Sequence, residues 1–128
     1  MDAIEQFVPE PLRDVVRKAL VSKVPNVNEA LEMYICASRH LAQAEQKLKD
    51  YRVSIGEPLI AVWCHETRSV IGPKLTPEQA DIKTQMCDLM SLAQAIHFKA
   101  YRALLVQIYG EEVVAFDEML ERRQERWG

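Results

Sequence analysis

The chain has 128 residues, 48% of them hydrophobic and 27% charged, with a formal net charge of −3. That length suits one domain with a single buried core, and that balance of apolar and charged residues excludes a disordered chain. Residues 1–55 hold 8 acids and 8 bases while residues 111–128 hold 6 and 3, so the surplus of acid lies in the last segment. No stretch concentrates Lys and Arg as a phosphate backbone requires, which disfavours nucleic-acid binding.

The amino terminus, MDAIEQF, carries acids where a targeting peptide carries Lys or Arg. No uncharged apolar run approaches the roughly 20 residues of a membrane span. Cys36, Cys64 and Cys87 are odd in number and widely spaced. They are expected to be free, mostly buried thiols in a reducing compartment, and the chain to be cytoplasmic.

Four glycines and six prolines set the limits of the helices, because both residue types break helix interiors. The first permitted segment, 12–24, has one apolar face made by Leu12, Val15, Val16, Ala19 and Leu20. The second runs from Asn26, a capping residue type, to Ile55, and Gly56 closes it. Its stripe is Ala30, Met33, Ala37, Leu41, Ala44, Leu48, Tyr51 and Ile55, stepping by three and four. Alanines recurring every seventh position along that stripe allow a partner helix to approach closely.

The link 56–75 reads GEPLIAVWCHETRSVIGPKL. A short helix from Pro58 to about His65 is expected there, with a small hairpin as the alternative, since Ile, Val and Trp favour strands. Thr76, Pro77 and Gln79 then spell a capping box with proline in the first turn. The helix they open runs to Tyr109 and stops at Gly110. Its stripe of Ile82, Met86, Leu89, Ala93, Ile96, Ala100 and Ala103 is expected to face the other long helix. A second flank adds Met90, His97, Tyr101, Leu104, Leu105 and Ile108, so this helix must touch neighbours on more than one side. The last helix, 111–127, is expected to bury Val113, Phe116 and Leu120.

The expected fold is therefore all-α: a single helical domain over 1–128, built on an antiparallel pair of long helices at about 26–55 and 77–109, with shorter covering helices at each end. A helix of about 30 residues is about 45 Å long, more than the width of a compact sphere of this chain length. That overhang and the wide apolar arc point to a homo-oligomer.

Candidate sites are few. His97 has Ala93, Met90, Ala100 and Tyr101 as helical neighbours and reads as a core histidine hydrogen-bonded within the fold. Cys36 and His40, at i and i+4, share a helix face that an antiparallel register brings near His97. That set is a conceivable metal cluster with no evident fourth ligand. His65, Glu66 and Arg68 occupy a polar turn suited to partner or ligand contact. Arg122, Arg123 and Trp127 form a terminal docking tail, as Trp and Arg anchor interfaces. Arg68, Lys74, Arg102 and His65 are the residues an anionic ligand would use. With all four glycines serving as punctuation, neither a P-loop nor a GxGxxG turn can be built, and no catalytic residue or cofactor is expected. The sequence reads as a non-enzymatic helical interaction protein, of accessory regulator or inhibitor type, that forms a homo-oligomer and binds another protein. A helical oligomer that binds or sequesters a small anionic ligand, a nucleotide or metabolite, is the alternative.

Overall fold

The computed structural model describes residues 2–56, 62–66, 69–71 and 75–127, with the backbone alone at 62–64, 69–71 and 125–127. The chain forms a helical bundle with the element order α1 (Ala3–Phe7), α2 (Glu10–Val21), α3 (Val27–Ser54), β1 (Val62–Cys64), β2 (Ser69–Ile71), α4 (Pro77–Tyr109) and α5 (Glu111–Trp127). No described helix is long and apolar enough to cross a membrane.

The residues group into two compact units, 1–39 with 96–128, and 40–95. The long helices α3 and α4 pack on each other in antiparallel fashion. In the first unit the ring of Tyr34 stacks on His97 and Tyr101, at centroid distances of 5.1 and 5.6 Å. In the second unit Tyr51 donates its hydroxyl to the Gln79 carbonyl at 3.4 Å. The expected antiparallel register, which brings this stretch of α3 near His97, agrees with the first of these contacts.

The core of the first unit is built from Val8, Val16, Ala19, Val27, Ala30, Leu31, Tyr34, Ala37, Ala100 and Leu104. Small residues at 30, 37 and 100 leave room between the long helices for the rings of Tyr34 and His97. The short helix α1, absent from the sequence reading, starts where the Asp2 carboxylate accepts the Glu5 N–H at 2.8 Å. Arg13 fastens it by donating to the carbonyls of Val8 at 2.9 Å and Glu5 at 2.8 Å. The Arg39 guanidinium lies 5.6 Å over the Phe7 ring.

Helix α2 ends in two bonds, Lys23 N–H to the Leu20 carbonyl and Val24 N–H to the Ala19 carbonyl, at 3.2 and 3.1 Å. This Schellman pattern needs a left-handed residue, and Lys23 takes that role at φ 54°. In the second unit Leu48 is the buried anchor of α3. The capping box at the start of α4 is formed as expected: Thr76 Oγ1 accepts the Gln79 N–H at 3.1 Å, and Gln79 Oε1 accepts the Thr76 N–H at 3.0 Å.

Three expectations are corrected. Residues 62–64 do not form a short helix; they pair antiparallel with 69–71 in the register Val62 to Ile71, Trp63 to Val70 and Cys64 to Ser69, the hairpin alternative. The expected stripe of α4 is only partly covered. Ala100 is buried and Met86 and Ala93 are half-buried, while Ile82, Leu89, Ile96 and Ala103 face solvent. The second flank packs instead, with Leu104 fully buried and Met90, His97 and Tyr101 half-buried. Met33 on α3 is likewise 67% exposed, its place in the core taken by Tyr34. Finally, Cys36 is exposed and Cys87 half-buried. Cys36 lies one residue before Ala37, and one residue is 100° around a helix, enough to carry the thiol off the buried stripe.

Candidate functional site

Gly110 turns the chain between α4 and α5 at φ 94°, with its N–H on the Val106 carbonyl at 2.8 Å. A Cβ there would meet nothing within 4 Å, so glycine is required by the backbone angle alone. Past this turn α5 is held against α4 by Arg102. Its Nε donates to Glu118 Oε1 at 2.6 Å and its Nη2 to Glu111 Oε1 at 2.7 Å. The two carboxylates raise the guanidinium's pKa further, and Arg102 in turn holds the Glu111 carboxyl below its ordinary value, first by hydrogen bonding and then by its charge.

These two bonds tie the inner side of α5 to α4. Glu118 faces inward and Val114 is buried at 5% exposure. The expected inner face is thereby turned outward: Val113, Phe116 and Leu120 are exposed, Phe116 at 55%, and Met119 is exposed beside them. An apolar stripe belongs on the covered side of an amphipathic helix, so α5 presents to solvent what it would normally bury. The three- and four-residue steps of that stripe continue through position 127, which is tryptophan.

On its inner side α5 forms one wall of a cleft of ≈370 Å³, with Leu12, Phe98, Tyr101, Arg102, Leu105 and Tyr109 opposite and Val114, half-buried Glu118 and exposed Asp117 and Glu121 on α5. Burial raises the pKa of the Tyr101 phenol, and the charges of Tyr34, Tyr109 and Glu121 add to the effect. Glu118 is engaged by Arg102 at 2.6 Å and by Arg122 at 3.7 Å. Among the described residues, Asp117 and Glu121 have no ion-pair partner. A second hollow of ≈520 Å³ lies between α3 and α4, floored by Ala30, Ala100 and Ala103 and flanked by Met33 and Ile96.

The residues singled out from the sequence are scattered. His65 and Glu66 are exposed in the turn that follows β1. Arg68 and Lys74 lie outside the described residues. Arg102 is committed to Glu111 and Glu118, so it is not the open cation that an anionic ligand would need. Arg122 reaches Glu118 one turn back, Arg123 is exposed on the same helix, and Trp127 is described by its backbone position in α5. Cys36 and His40 are exposed, whereas His97 is stacked on Tyr34. No group of three metal-ligating side chains converges among the described residues, so the Cys36, His40, His97 cluster is not formed.

The cleft residues Phe98, Tyr109, Asp117 and Glu121 were not foreseen. The available signal was the i, i+4 pair of like charges at 117 and 121, which is unfavourable on a helix without compensation. No protein-family model matches the chain, and comparison with curated proteins and with solved structures gives no match either.

Proposed function

We propose that this chain is a helical interaction protein that self-associates through the outer face of α5 and acts by binding another protein. The observation that supports this reading is the rotation of α5, with Val113, Phe116 and Leu120 turned to solvent while Val114 and Glu118 turn inward. An apolar stripe of this kind loses its hydration cost only when another surface covers it, at roughly 25 cal/mol per Å² buried.

A second copy suits the stripe because its charges are self-complementary. Glu112 and Arg123 flank the same edge of it, one near each end of the helix. Antiparallel pairing of two α5 helices sets Glu112 of each copy beside Arg123 of the other. Trp127 continues the stripe by its spacing and serves as the terminal anchor, in the way Trp anchors interfaces. Small accessory regulators and inhibitors use helical surfaces in this manner, an analogy at the level of fold. We place the protein in the cytoplasm, where the exposed thiol of Cys36 stays reduced.

Sedimentation velocity of the wild-type chain beside Phe116→Glu tests the proposal. The expected result is an oligomer for the wild type and a monomer of unchanged helicity for the variant. Charge reversal at Arg123 should weaken association, and the double variant Glu112→Arg, Arg123→Glu should restore it. A wild type that stays monomeric at high concentration overturns the reading.

A further inference from the structure

We infer that the cleft on the inner side of α5 receives an arginine side chain from the protein partner. The inference rests on the interaction-protein reading and names the chemistry of the partner, using the helix face opposite the one proposed for self-association.

The cleft combines two features that a guanidinium selects. Its apolar wall is aromatic: Phe98, Tyr101 and Tyr109 contribute rings, and Phe98 and Tyr109 are exposed. Rings of this kind accept the flat face of a guanidinium by stacking and by cation–π attraction. Its other wall carries Asp117, Glu118 and Glu121, and the Arg102 guanidinium also lines the cleft, where it is held by Glu118 and Glu111. Arg102 compensates Glu118, which leaves Asp117 and Glu121 as carboxylates without a described counter-charge. These two stand at i and i+4 on α5, where like charges repel, and the charge of Glu121 is felt by the Tyr101 phenol across the cleft. A cation between them relieves that repulsion, and the fork of N–H donors on arginine can take one carboxylate bidentately while its charge also offsets the other. The volume of ≈370 Å³ falls at the lower end of the range for sites that enclose a ligand group. An anionic side chain would meet two uncompensated, exposed carboxylates, so a cation is the complementary occupant.

The test is an amide NMR titration of the full chain with acetyl-arginine amide, its uncharged citrulline counterpart, and spermidine. Acetyl-arginine amide should give saturable shifts at Tyr101, Tyr109, Asp117 and Glu121, with a dissociation constant on the order of millimolar for a single side chain. The citrulline analogue should give none. The double variant Asp117→Asn, Glu121→Gln should keep its helical circular dichroism and lose affinity at least about tenfold, the loss of one strong charge-assisted contact. Equal shifts from the citrulline analogue, or no saturable shift, overturn the assignment. Spermidine binding more than about tenfold tighter than the arginine probe also overturns it, and identifies a pocket for a free polyamine. Sedimentation reports on α5 self-association separately, so failure of that reading and failure of this one are distinguishable.

Discussion

The Tyr34 hydroxyl donates to the Phe7 carbonyl at 3.0 Å, joining the end of α1 to α3 across 27 positions of sequence. Tyr34 is 3% exposed, and its ring fills the space that the neighbouring alanines of α3 and α4 leave. Replacing it with phenylalanine keeps the ring and removes the donor, so the Phe7 carbonyl loses its partner. Tyr34→Phe should lower stability by about 1 kcal/mol. Urea denaturation checks this, and an unchanged midpoint would show that water replaces the hydroxyl without cost.

The two apolar sides of α4 should respond differently to truncation. Leu104 is fully buried, and Leu104→Ala leaves a cavity that costs about 3 kcal/mol. Leu89 is 62% exposed, and Leu89→Ala should change monomer stability by less than about 0.5 kcal/mol. Comparable losses at both positions would mean that the solvent-facing side is already covered in solution.

Thr76 and Gln79 cap the start of α4 reciprocally, at 3.1 and 3.0 Å. Thr76→Ala should cost about 1 kcal/mol and accelerate amide exchange in the first turn of the helix. Exchange rates at residues 78–80 that match the wild type would sink the idea that this cap holds the terminus.

Lys23 sits at φ 54°, a left-handed conformation that glycine adopts freely and lysine does not. Lys23→Gly should raise stability by about 1 kcal/mol, since the strain of the cap is removed while its two backbone bonds stay. A lower melting temperature for the variant would contradict this.

Acid should weaken the attachment of α5. Arg102 depresses the folded-state pKa of Glu111 relative to the unfolded chain, so the stabilisation is complete above the unfolded value of about 4.3. It is lost as the pH falls through the folded value. Asp2 follows the same sign, through the Glu5 N–H first and the charge of Arg17 after it. Urea midpoints should therefore fall as the pH drops below about 4.5, and Arg102→Gln should flatten the part contributed by Glu111. Identical slopes for parent and variant would show that the Arg102–Glu111 pair is not linked to folding.

The parts of the fold legible in the sequence are those with a local cause. Gly56 and Gly110, Pro77 and the Thr76–Gln79 pair mark helix limits because they act within one turn, whereas the link 56–75 is long enough to leave the register of the two long helices loose. Which side of α4 meets α3 was not legible. Periodicity detects an apolar face, but a helix with two such faces carries no local sign of which one is covered. The same holds for α5, whose inner side carries Glu118 on Arg102 and buried Val114 while Val113, Phe116 and Leu120 are exposed. The cleft joins side chains from α2, α4 and α5, so only the assembled helices bring Leu12, Tyr101 and Glu121 together.

Tyr34 and Tyr101 also give the chain an optical signature. Their rings are held 5.6 Å apart at an interplanar angle of 47°, so the two phenol chromophores are fixed in an asymmetric arrangement. Both belong to the unit formed by residues 1–39 and 96–128, and Tyr51 belongs to the other. Ordered aromatic packing of this kind gives a near-ultraviolet circular dichroism that vanishes when side chains become mobile, even where helices persist. The part of the tyrosine dichroism that arises from the Tyr34–Tyr101 pair therefore reads the integrity of one unit, while the far-ultraviolet signal reads the helices of both.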